Sequence, residues 1–295
     1  MEKAIHSGRS KASALGKKGA GRSAYVMKPE SLALVENFRL MDDTFMSKCL
    51  ENAPECIELI LRIIIGKKDL KVIKSQTEYP IKSLQGRGVR FDVFARDSKG
   101  REYDIEIQRA DKGAEPKRAR YNSALMDANA LKSGEDFGKL RDTYVIIITE
   151  NDVMGRGQGV YVFDRMDKKS GLDFGDGAHV VYANGMWRGD DALGRLMCDF
   201  NCRDANKMHY DVLKKQVNKF KNSEEGRHAM CKAVEEFAER RAAEAKAEGE
   251  RKGERKTMLA TAKRMLKDGI LALKDIARYS GLSLAQVKKL QASQA

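Results

Sequence analysis

The sequence lacks any apolar run approaching the roughly 18 residues that a membrane helix requires. Its longest such stretch, Ile57 to Ile65, is interrupted by Glu58 and Arg62, so no helical membrane span is expected. The opening stretch, MEKAIHSGRSKASALGKKGAGRSAYVMK, has no continuous apolar segment of the kind a signal peptide carries, which leaves the cytoplasm as the expected location. Cysteines are few, odd in number and scattered (Cys49, Cys56, Cys198, Cys202, Cys231), and without an export signal they are expected as reduced thiols. Cys198 and Cys202 lie near His209, but no second pair of ligands accompanies them, so a structural zinc site is not expected.

What the chain does have is positive charge. Lys and Arg number 56 against 43 Asp and Glu, a net charge of +13 that favours a polyanionic partner, although a basic protein without such a partner fits equally well. Hydrophobic residues at 42% suffice for a core, and charged residues at 34% imply that part of the chain is helical and solvated. Four regions follow from the pattern. Residues 1–30 read as a disordered basic arm, 31–222 as the main α/β domain, 223–256 as a charged helical linker or weak coiled coil, and 257–295 as a small helical module.

Within the main domain, helices are expected from Ser31 and from Pro54 to a stop at Gly66. A strand follows over 72–79, and a helix over 116–132. The run Tyr144–Thr149 suits a central strand covered on both faces. Short strands near 160–163 and 179–182 precede helices near 192–200 and 210–221.

The clearest local signal is GVRFDVFARDSKGREYDIEIQ, two alternating strands around a turn at Ser98-Lys99-Gly100. Alternation puts Asp104, Glu106 and Gln108 on one face. On the first strand it groups Arg90, Asp92 and Phe94, with Val89, Phe91, Val93 and Ala95 opposite. A three-residue loop sets Asp92 across from Glu106, whereas a two-residue loop sets it across from Ile105. Two close carboxylates repel, and a hard divalent ion such as Mg²⁺ would relieve them through oxygen ligands. The competing reading makes both acids edge-strand solubilisers paired with Arg90 or Arg101.

Arg90-Phe91-Asp92-Val93, followed by Tyr103-Asp104-Ile105-Glu106-Ile107-Gln108, resembles the D…ExQ variant of the PD-(D/E)XK nuclease motif. Further landmarks, DDTFM (42–46), ECIELILRIII (55–65), LQGRGVRFDV (84–93), the segment 118–157, FGDGAHVVYANG (174–185) and DDALGRLMCDF (190–200), are similar to the PD-(D/E)XK nuclease family transposases over roughly residues 40–222. The resemblance implies a restriction-endonuclease-like α/β core, a central mixed sheet flanked by helices, and a Mg²⁺- (or Mn²⁺-) dependent DNA endonuclease associated with recombination or transposition. It further implies that Asp92, Glu106 and the Ile107 backbone carbonyl bind metal and that Gln108 stands in for the family's catalytic Lys. Glu58 would be the extra acid of the site, and Arg90, Arg118 and Tyr121 would lie near the scissile phosphate. Glutamine offers only neutral hydrogen bonds where lysine offers charge. A catalytically weak DNA-binding or interaction protein on the same fold is the alternative.

At the C-terminus, LKDIARYSGLSLAQVKKL (273–290) resembles a helix-turn-helix, with Gly281 at the turn and Ser283 as N-cap. Lys288 and Lys289 fall on the candidate recognition helix, facing DNA phosphates in one reading; a helical hairpin for self-association, and hence a homodimer, is the other.

Overall fold

A computed structural model describes residues 27–82 and 87–293. Its elements run α1 (Pro29–Asn37), α2 (Asp43–Leu50), α3 (Pro54–Ile65), β1 (Val72–Ile81), β2 (Val89–Asp97), β3 (Glu102–Gln108) and α4 (Pro116–Ala130). They continue with β4 (Thr143–Thr149), β5 (Val160–Phe163), β6 (Ala178–Asn184), α5 (Ala192–Asn201), α6 (Asp211–Asn222), α7 (Glu224–Asp268), α8 (Leu273–Ser280) and α9 (Leu284–Ala292). Residues 1–26 of the expected basic arm lie outside the described residues.

The six strands form one mixed sheet in the order β1-β2-β3-β4-β6-β5. Strands β1, β2 and β3 are antiparallel neighbours; β3, β4 and β6 run parallel, and β5 returns antiparallel on β6. Every residue of β4 is buried, as its unbroken apolar run requires of a strand covered on both faces.

Helix α3 shows how one cover forms. Pro54 opens it and Gly66, at φ +73°, closes it. Cys56, Ile57, Ile60, Leu61 and Ile64 recur at helical spacing and are buried together. They join Phe45 of α2, Phe200 of α5 and Leu213 of α6 against Ile105, Ile146 and Val181 of the sheet. At about 1.5–3 kcal/mol per fully buried large aliphatic side chain, this face supplies most of the driving force for folding. The opposite face is covered by α4, whose Ala119, Leu125 and Met126 pack against Phe94, Val145, Ile147 and Tyr182.

Strict alternation in β2 fails at one point. Phe91 packs with Phe94 on the α4 side, while Val93 and Ala95 pack on the other, so Val89 and Phe91 do not share the face predicted for them. The cause lies in β1. Glu78, which would stand across from Asp92, is missing from the ladder between Thr77↔Val93 and Tyr79↔Phe91 and has φ +50°. A left-handed residue inside a strand rotates the pleat, and the neighbouring strand turns with it.

The C-terminal organisation also differs from expectation. Helix α7 is continuous over 45 residues. Its Met230, Cys231 and Ala233 are buried in the main core, while Met258, Ala262 and Met265 pack with Ile276, Leu282 and Val287 in a separate small core. The segment read as a linker over 223–256 therefore begins as part of the main body, and a boundary at 257 falls inside a helix. Ser283 caps α9 in a reciprocal capping box with Gln286.

Candidate active site

The β2–β3 turn is the three-residue loop. The Gly100 amide donates to the Asp97 carbonyl, and Gly100 takes φ +83°, a conformation that a Cβ-bearing residue adopts only at a cost. That loop fixes the pairing Arg96↔Glu102, Phe94↔Asp104 and Val93↔Ile105, a register that brings Asp92 beside Glu106. Backbone pairing between the two strands ends at Val93↔Ile105. Past it the Ile107 amide donates to Asp92 Oδ2 at 2.9 Å, so a side chain replaces the ladder bond and the strands part into a notch. In an extended strand the N–H and C=O of one residue point to the same side. The Ile107 carbonyl therefore also faces the notch.

Two acids line the notch, and a third, Asp43, is near enough for its charge to act on them. Glu106 is 1% exposed, Asp92 is half-buried, and Asp43 stands in the first turn of α2. Burial pushes the Asp92 carboxyl well up, and the charges of Glu106 and Asp43 push it further. Glu106 is raised by burial against the opposing pull of Arg118. Asp43 is raised by burial, with Arg90 pulling down and Glu78 pushing up. Asp104, fully buried one turn of the pleat before Glu106, is raised by burial and by Glu106 and accepts from Asn122 Nδ2 at 2.8 Å.

The cations and amides around the notch come from well-held elements. Tyr182 of β6 donates to the Ala114 carbonyl at 2.8 Å, fixing the chain just ahead of α4. The first turns of α4 then bring Arg118 into an ion pair with Glu106 Oε2, while its other nitrogen reaches the Gly113 carbonyl at 3.4 Å. Gln108 Nε2 lies 3.5 Å from the same Glu106 oxygen. Its amide rests directly on Gly113, where a Cβ would come within 1.7 Å of Gln108 Oε1; only glycine gives that amide room. Tyr121 points elsewhere, donating to the Arg87 carbonyl at 2.6 Å and pinning the chain that leads into β2. Arg90 and Arg240 both reach Glu78.

Glu58 is not part of this group. Its Oε2 accepts from the Val72 amide at 2.9 Å, and its Oε1 pairs with Arg62 at 2.7 Å. Val72 pairs with Asp97, five residues along β2 from Asp92, about 16 Å away at the strand rise. The resemblance implied Glu58 as the extra acid of the site, but α3 sets its carboxylate at the Val72 end of the sheet. The acid whose charge does act on Asp92, Asp43, lies in the quoted DDTFM stretch. Its neighbour Asp42 is held by the Arg39 amide and by Arg109. Lys288 and Lys289 are exposed on α9, in the separate C-terminal core.

The donors suit a hard cation. One oxygen of the buried Glu106 carboxylate, Oε1, has no hydrogen-bond partner, and it lies in a notch with a second carboxylate and a backbone carbonyl. Among the described residues no group of three or more His, Cys, Asp or Glu side chains is arranged to cage a metal ion. Mg²⁺ needs no such cage, because it keeps several waters and takes one or two carboxylates plus substrate oxygens. No curated protein and no solved structure matches the chain. One family model does, across α3, the sheet from β1 to β6 and both Asp92 and Glu106: residues 49–184 are similar to the PD-(D/E)XK nuclease family transposases.

Proposed function

We propose that the protein is a divalent-metal-dependent DNA endonuclease that hydrolyses phosphodiester bonds in the notch between β2 and β3. The observation that carries this reading is the partnerless, buried Glu106 oxygen beside a second carboxyl, Asp92, whose pKa is raised by burial and by neighbouring negative charge. Unpaired buried charge is costly, and a site that keeps it is built for a cation that neutralises it. Asp92, Glu106 and the Ile107 carbonyl are the proposed ligands of Mg²⁺ or Mn²⁺. Such an ion lowers the pKa of a bound water and neutralises charge developing on the phosphate.

The chain's own groups do the rest. Gln108, seated on Gly113, orients the attacking water through its amide. Arg118, which pairs with Glu106 and reaches the Gly113 carbonyl, has further donors in its planar fork with which to grip the scissile phosphate. Tyr121 supports the entry to β2 rather than the phosphate. Lys288 and Lys289 on α9 are proposed as phosphate contacts remote from the notch, which would add affinity without chemistry.

Plasmid nicking by the purified protein with Mg²⁺, compared with Asp92→Ala and Glu106→Ala, tests the reading. Loss of about 10³-fold in both variants is expected for removal of a group that stabilises the transition state. Equal nicking by all three proteins would reject it. Absence of nicking in all, with DNA binding kept, would favour a binding protein on an inactive nuclease fold, a reading that the neutral Gln108 suits.

A further inference from the structure

Glu78 is a residue in the wrong conformation for its type. Non-glycine residues with positive φ are uncommon, and Asn or Asp usually fill such positions. Glu78 holds φ +50° in the middle of β1, at the gap in the ladder between Thr77↔Val93 and Tyr79↔Phe91. Strain of this kind clusters at functional sites, where surrounding contacts over-determine it. Here those contacts are two guanidiniums on one oxygen. Glu78 Oε1 lies 3.2 Å from Arg240 Nη2 and 3.6 Å from Arg90 Nη1. All three side chains are between 36% and 46% exposed, so the cluster is wet and not a core staple. Two positive charges on one carboxylate leave a surplus charge of one, at the lip of the notch that holds Asp92 and Glu106.

Arg240 comes from α7, beyond the matched family region. It faces a cleft of about 150 Å³ lined by Thr44, Thr77, Glu78, Glu236 and Phe237. Its charge and that of Arg90 both act on Asp43, which sets them at the same rim as the acids. An ion pair this exposed contributes at most about 1 kcal/mol, so an incoming phosphate competes with Glu78 on favourable terms. Each guanidinium has five donors and uses few of them on one oxygen.

We propose that Arg240 is a substrate-binding residue of this site: with Arg90 it grips a backbone phosphate of bound DNA, and Glu78 parks both guanidiniums at the notch when DNA is absent. The proposal rests on reading the notch as a phosphodiester site, and it extends that site to a helix outside the nuclease core. Glu78 is thereby a positioning residue, holding the two cations where the nucleic acid arrives.

The test is binding of a short fluorescein-labelled DNA duplex to the full chain, by anisotropy across a salt series, with Ca²⁺ present. Arg240→Gln should weaken binding about tenfold, the loss of one charge-assisted hydrogen bond, and reduce the salt slope by about one. Arg240→Lys should recover the slope. Glu78→Gly and Glu78→Asn accept the left-handed backbone and free both guanidiniums, so they should bind as well as the wild type or more tightly. If Arg240 only braces Glu78, the Glu78 variants will weaken binding as Arg240→Gln does, and the proposal is overturned; unchanged binding in Arg240→Gln overturns it as well. Wild-type nicking with Mg²⁺ is run alongside: its absence rejects the nuclease reading, while the binding series still decides the role of Arg240.

Discussion

The two ends of the β2–β3 hairpin carry acids in opposite states. At the turn, Asp97 is fully buried; burial alone would raise its carboxyl, yet hydrogen bonds from the Tyr103 hydroxyl and from Arg101 outweigh that and hold it below its usual value. Its oxygens also accept from the Arg101 and Lys99 amides. At the open end, Asp92 has one backbone donor, Glu106 has an oxygen with none, and both carboxyls lie above their usual values, pushed there first by burial. The same two strands therefore hold a satisfied charge and an unsatisfied one about five residues apart. Taking a partner away from a satisfied buried carboxylate is costly, whereas an unsatisfied one is a standing cost in the intact fold.

The largest expected effect breaks the closed end. Asp97→Ala leaves the buried Arg101 guanidinium unpaired and should destabilise by about 3–5 kcal/mol in urea unfolding. A variant as stable as wild type would erase the contrast between the two ends.

A smaller effect, of opposite sign, sharpens the open end. Asp92→Asn keeps the acceptor for the Ile107 amide and removes a desolvated charge, so it should stabilise the metal-free protein by about 0.5–2 kcal/mol near neutral pH. The sign follows from linkage. Asp92 and Glu106 hold protons more tightly folded than unfolded, so below their ordinary values of 3.8 and 4.5 they cost nothing. As pH rises past those values the unfolded chain ionises first, and the folded form loses stability until its own carboxyls ionise. The advantage of Asp92→Asn should thus be slight at about pH 4, larger at about pH 8, and reduced by Mg²⁺, as unfolding curves under the three conditions would reveal.

The smallest effect concerns the acid that lies elsewhere. Glu58→Gln still offers an oxygen to the Val72 amide and loses only its pair with a 41% exposed Arg62. It should cost no more than about 0.5 kcal/mol and leave nicking unchanged. A clear loss of nicking would return Glu58 to the site.

Much of this was legible in the sequence because it is local. The Ser98-Lys99-Gly100 loop sets the register, the register sets Asp92 beside Glu106, and the apolar run at 144–149 announces a strand covered on both sides. What escaped reading is tertiary. Asp43 comes near the notch because α2 packs across the sheet, and nothing in its own neighbourhood marks it apart from Asp42. Alternation in β2 breaks because Glu78, on a different strand, adopts a conformation its residue type disfavours. The pairing of Arg240 with Glu78 joins residues 162 positions apart. The Ala-, Glu-, Lys- and Arg-rich stretch after 223 was read as solvated from its composition, yet three small or flexible side chains, Met230, Cys231 and Ala233, suffice to seat its start on the core.

The bond from Tyr182 to the Ala114 carbonyl has a consequence for the order in which the protein is made. Both notch acids leave the ribosome early, while the hydroxyl that anchors the start of α4 belongs to the last parallel strand. A nascent chain that ends before β6 carries Asp92 and Glu106 but not the tether that sets Arg118 over them. The arrangement of the notch is thus completed only when most of the sheet has been synthesised.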